Sequence, residues 1–174
     1  TLLARGGEDG RLLPLARALT GRPVSAAVAA AADEIELVVV GAHLSGMPLN
    51  AELVAAGGRL LRAARTQRCY RLFALPGTPP RPGLLRAADG AAIAVEVWAL
   101  PTAAFARFVA AIPAPLGVGR IALEDGTAPS GFLVEAAATV AGEDITACGG
   151  WRAYVASRHT PGETPGADGT CGRR

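Results

Sequence analysis

Gly41-Ala42-His43-Leu44-Ser45-Gly46-Met47-Pro48-Leu49-Asn50 brings an imidazole, a hydroxyl and an amide into one short stretch that also holds two glycines. An imidazole exchanges a proton near neutral pH, so His43 is a candidate acid or base. Glycines let a chain turn sharply and let its backbone approach a ligand closely. Successive N–H groups over Gly41, Ala42, Leu44, Ser45 and Gly46 could form a concavity for an anion. Ser45 and Asn50 could add side-chain contacts, although Asn50 also suits the cap of a helix starting at Ala51. The plainer alternative for His43 is a side chain that only ties the turn together.

A second candidate is Glu96, inside the apolar run Ile93-Ala94-Val95-Glu96-Val97-Trp98. Strand alternation puts Ala94, Glu96 and Trp98 on one face. A carboxylate there is costly unless paired or solvated. Partial burial would raise its pKa and suit proton transfer. The alternative is a glutamate paired with an arginine at the edge of a sheet. Arg65, Arg68 and Arg71 surround Tyr70, and each could clamp a carboxylate bidentately. Tyr70 and Arg71 are therefore candidate binding residues, whereas plain surface charge suits Arg68 better.

Elements must position these groups. Glu34–Val40 reads as a buried strand that delivers the chain into the Gly41 turn. Asn50 would cap a short helix over 51–56, stopped by Gly57-Gly58. Arg59–Thr66 and Tyr70–Leu75 read as strands, and Thr78–Gly83 as a loop. Gly83–Ala87 and Ala92–Leu100 read as strands joined by an Asp89-Gly90 hairpin turn. Pro101 would open a helix over Thr102–Ile112, with Phe105, Phe108, Val109 and Ile112 on one face. Gly119–Leu123 and Ser130–Ala136 would form a hairpin across Asp125-Gly126. A short helix would begin near Asp144 or Thr146 and carry Trp151, Tyr154 and Val155. Trp98, Phe132, Trp151 and Tyr154 suit a core better than a ligand platform. Strands and helices out of strict alternation predict a mixed α+β fold with a barrel-like sheet.

The chain has 174 residues, about one domain. With 51% hydrophobic and 18% charged residues it should build a core. All 17 basic residues are arginine and they are scattered, which argues against a nucleic-acid footprint. Cys69, Cys148 and Cys171 are far apart and odd in number, so neither a disulfide framework nor a metal site is expected, and a reducing cytoplasm fits. No cofactor is implied. No apolar run reaches the ~18 residues of a membrane span, and no signal segment opens the chain.

The stretches GAHLSGMPLN, RTQRCYRLFALPGTPPRPGL, AIAVEVWALP, IPAPLGVGRIALEDG, GFLVEA and EDITACGGWRAYVAS together resemble the carboxy-terminal domain of allophanate hydrolase, from about Val38 to Ser157. The resemblance implies a γ-glutamylcyclotransferase-like fold over 34–157. Residues 1–33 would then be a connector from an amidase domain, with a short helix near Leu12–Leu19, and 158–174 a flexible tail. In γ-glutamylcyclotransferases a tyrosine-glycine-serine turn after the first strand holds an anionic substrate. Here that turn reads Val40-Gly41-Ala42-His43, keeping only the glycine. Their catalytic glutamate sits in an acidic loop after a helix. The corresponding Ile112–Gly119 contains no acid, so γ-glutamyl cyclisation is not implied. Nor is the amidase step, since its lysine-bearing signature is absent from a chain without lysine.

The resemblance implies a small anionic substrate, N-carboxycarbamate left by the amidase, whose decarboxylation this domain would promote with His43 and Glu96. The alternative is a non-catalytic assembly module that docks the amidase domain or a second copy of itself.

Overall fold

The computed structural model describes residues 29–158. The connector helix expected over 12–19 and the tail beyond Arg158 lie outside them. β1 (Glu34–Val39) buries Leu37, Val38 and Val39 because it is flanked on both sides. Antiparallel β5 (Ala94–Pro101) lies on one side, with Leu37 opposite Trp98 and Val39 opposite Glu96. Parallel β7 (Ser130–Val134) lies on the other. β2 (Arg59–Arg65) and β6 (Leu116–Arg120) complete a five-stranded sheet in the order β2-β5-β1-β7-β6. A smaller sheet has the order β4-β3-β8, from Arg81–Arg86, Tyr70–Leu75 and Glu143–Asp144.

The mixed α+β reading therefore stands, but the barrel does not: among the described residues the strand pairings form two open sheets. They share a core. Leu37, Val97 and Leu100 of the larger sheet are sealed from solvent together with Tyr70 and Leu72 of the smaller. Tyr70 is fully buried, and its phenol oxygen accepts the Ala122 N–H at 2.8 Å.

Two local expectations are corrected by these pairings. Asp89-Gly90 is no hairpin turn, because β4 pairs with β3 while β5 pairs with β1 and β2. The turn instead carries the chain from one sheet to the other, and Asp89 pairs with Arg71. Residues 81–83, expected in a loop, begin β4. Pro82 is tolerated because β4 is an edge strand, where a missing N–H need not break a ladder.

The helices are short. α1 (Asn50–Ala55) buries Leu53, and α2 (Thr102–Ala110) follows β5 directly, with Pro101 at its cap position. α3 (Ala136–Thr139) and β8 were not foreseen. A 3-10 turn (Thr146–Cys148) leads into α4 (Trp151–Arg158), which buries Trp151 and Tyr154. The hairpin expected across Asp125-Gly126 forms as β6 and β7, but its first strand is Leu116–Arg120 and not Gly119–Leu123. The end of the loop read over 112–119 is therefore strand, with Leu116 opposite Val134 and Arg120 opposite Ser130.

Candidate functional site

The chain leaves β1 at Val39 and winds through residues 41–49 as consecutive turns. Leu44 N–H donates to Gly41 O, Met47 N–H to Leu44 O and Leu49 N–H to Ala42 O, each at 2.9 Å. Gly46 supplies the positive φ of 73° that the winding needs. The Asn50 amide donates to the His43 carbonyl at 3.0 Å. That use replaces the capping role, since α1 begins at Asn50 itself and has no side-chain cap.

Glu96 holds the turn from the neighbouring strand. Its Oε2 accepts the Ser45 N–H at 2.8 Å, the Ser45 hydroxyl at 2.9 Å and the Trp98 indole N–H at 3.1 Å. Its Oε1 accepts Arg152 Nη2 of α4 at 2.7 Å. Alternation correctly puts Glu96 and Trp98 on one face. β5 is an interior strand, however, so the arginine partner arrives from a helix and not at a sheet edge. Burial alone would raise the Glu96 pKa. The Ser45 N–H, the Trp98 and Arg152 donors and the Ser45 hydroxyl outweigh burial and hold it below the usual carboxylate range. The raised value expected from the sequence is thus corrected. The turn does bind a carboxylate, and that carboxylate is the protein's own.

His43 lies on a different side of this arrangement and does not contact Glu96. Its Nε2 is 3.3 Å from Glu52 Oε2 of α1. Its ring meets Phe108 of α2 edge-on at 5.1 Å and Phe132 of β7 at 6.3 Å. The side chain remains 21% exposed, so the imidazole is held by aromatic walls yet open to a small molecule. The N–H groups of Ala42, His43 and Gly46 find no acceptor among the described residues. Those of Leu44 and Ser45 are taken, by Gly41 O and by Glu96. Gly41 is buried where β1 passes β4.

Tyr70 and Arg71 are not brought to the turn. Tyr70 is a core residue, and Arg71 pairs with Asp89 and, at 3.6 Å, with Asp144. A cavity of about 390 Å³ opens beside Glu96, lined by Leu44, Trp151, Arg152 and small residues of β2 and β5, and neither Tyr70 nor Arg71 reaches it. Sequence reasoning missed Arg152, Glu52 and the Phe108–Phe132 wall as site residues. No local pattern signals them, because they lie on four other elements and converge only by packing.

With this geometry in view, the likenesses to known proteins are informative. Residues 35–156 match the family model for the allophanate hydrolase C-terminal domain. The urea amidolyase of Saccharomyces cerevisiae is 42% identical over 129 residues, which cover 69% of this chain and 7% of that protein. The chain thus spans a small fraction of the curated relatives it matches. Kluyveromyces lactis allophanate hydrolase superposes with a TM-score of 0.69 at 36% identity, over 72% of this chain and 21% of that one. A uropathogenic E. coli-specific protein superposes with a TM-score of 0.66 at 36% identity, over 73% of this chain and 98% of its own.

Proposed function

The chain belongs to the family of allophanate hydrolase C-terminal domains, and from that premise we propose that it promotes decarboxylation of N-carboxycarbamate formed by an amidase domain. The observation that carries this reading is His43: a half-buried imidazole, fixed between Glu52 and two aromatic rings, on a turn with unused N–H groups.

The substrate carries two carboxylates on one nitrogen. The N–H groups of Ala42, His43 and Gly46 hold one carboxylate. The other lies toward Phe108 and Phe132, where an apolar wall favours its loss of charge as carbon dioxide. The electron pair of the breaking C–N bond passes to nitrogen. Protonated His43 delivers the proton that converts this nitrogen to that of carbamate. Glu52, 3.3 Å from the same imidazole, orients the ring.

Glu96 acts as a positioning residue in this scheme. Four donors satisfy it and keep it ionised, so it has no proton to give at neutral pH. The fold on which this rests is γ-glutamylcyclotransferase-like in our reading, without the acid that γ-glutamyl cyclisation needs. The partner is an amidase domain in a reducing cytoplasm. Among the described residues no helix is long and apolar enough to cross a membrane.

The test supplies N-carboxycarbamate from an added amidase and follows ammonia and carbon dioxide separately. His43→Asn should slow carbon dioxide release toward the uncatalysed rate, by ~10² or more if proton transfer is lost, with ammonia release unchanged. Unchanged rates of both would remove the catalytic reading and leave an assembly module. Leu49, Val54 and Leu60, all exposed, would then be the first surface to examine for docking.

A further inference from the structure

We infer that the cavity between β2, β5 and the start of α4 is a binding site for a small monocarboxylate with an apolar body, one that Leu44 helps to line but that the His43 side chain does not reach. Its volume of about 390 Å³ falls within the ~300–1,000 Å³ of small-molecule sites. It is open because its walls are small: Ala63 and Ala64 of β2, Ala94 and Val95 of β5. These surfaces offer no hydrogen bonds and favour an apolar body.

The charges around the cavity select the other end of the ligand. Arg65 and Arg152 contribute two guanidiniums and Glu96 one carboxylate, leaving one positive charge uncompensated. A single negative charge balances that; a dianion would exceed it and a cation would add to it. Each guanidinium also has donors to spare. Arg65 uses Nη2 on the Ala92 carbonyl and Arg152 uses Nη2 on Glu96, and their other N–H groups meet no acceptor among the described residues. Glu96 is already satisfied and does not compete for the ligand's place. The first N–H groups of α4, from Trp151 to Ala153, lack intrahelical partners and lie in the same wall.

Arg152 thereby belongs to two structures at once: the cavity and, through Glu96, the Ser45 turn. Binding here does not depend on the decarboxylation reading and survives its failure.

Hexanoate is a suitable probe, with hexanamide as its uncharged counterpart. Both are titrated into the full chain by calorimetry and by tryptophan fluorescence, since Trp151 lines the cavity. Hexanoate should bind saturably, and hexanamide about tenfold more weakly or worse, as for loss of a charge-assisted hydrogen bond. Arg152→Gln and Arg65→Gln should each weaken hexanoate binding. Ala63→Leu, which fills the cavity and leaves both arginines in place, should abolish it. His43→Asn should bind as the parent does, which separates this site from the turn. Equal binding of hexanoate and hexanamide, no saturation up to the solubility of the probe, or undiminished binding in Ala63→Leu would each overturn the assignment. Arg152→Gln is read only alongside its own melting curve, and Ala63→Leu decides if that variant does not fold.

Discussion

Glu96 sits where a carboxylate is costly, with 11% of its side chain exposed, and it persists because its donors come from three places at once. Glu96→Gln keeps the shape but turns one acceptor into a donor facing donors. It should destabilise the fold by about 1–3 kcal/mol at pH 7, read from thermal melts by circular dichroism. The pH dependence follows from the sign of the shift. The folded pKa lies below the ordinary value of 4.5. The stabilisation is therefore complete above pH 4.5 and is lost as pH falls through the lower folded value. Glu34 and Asp125, whose pKa values are also lowered, titrate in both proteins and cancel in the difference. The gap in melting temperature between parent and Glu96→Gln should shrink on acidification below pH 4.5. A gap that stays constant down to acid unfolding would show that the Glu96 charge is not what stabilises the turn.

At the scale of elements, the end of β1 is seated against the edge strand of the other sheet. A Cβ at Gly41 would overlap the Pro82 ring, lying 2.8 Å from its Cβ and 2.9 Å from its Cδ, nearer still to Cγ. Gly41→Ala should cost about 1–3 kcal/mol, because neither β1 nor a proline ring yields easily. Replacing Pro82 by Ala in the same chain should recover much of that loss, a coupling that a double-mutant cycle measures directly. Additive losses would place the strain elsewhere. Tyr70→Phe tests the seam between the sheets in another way. It leaves the Ala122 N–H without its acceptor, and a loss of about 1–3 kcal/mol in denaturant melts is expected.

For the whole molecule, one core spans both sheets, and the E. coli-specific relative is almost entirely covered by this fold. Residues 29–158 expressed alone should therefore fold and unfold in a single cooperative transition. The readout is coincidence of near- and far-ultraviolet circular dichroism melts. Two separated transitions would show that the sheets are stable independently and that the shared core does not couple them.

Most strands, α2 and the β6–β7 hairpin were legible because apolar alternation, Pro101 and Asp125-Gly126 are local signals that the folded chain obeys. The winding of the 41–50 stretch was legible for the same reason, since its glycines and polar groups are consecutive. The sequence also marked Glu96 as a group in need of partners, because alternation put it on an apolar face. It could not name them. Ser45 is 51 positions away and Arg152 is 56, and no periodicity links such distances. The same limit explains Asp89-Gly90, whose turn chemistry is local while the choice of pairing strand is not. It explains the pKa of Glu96 as well. Burial is foreseeable from the neighbours in the strand, but the donors that outweigh it are assembled by tertiary packing alone. Only that packing decided that His43 faces Glu52 and two phenylalanines, and that the turn's hydroxyl and one of its N–H groups are spent on an internal carboxylate.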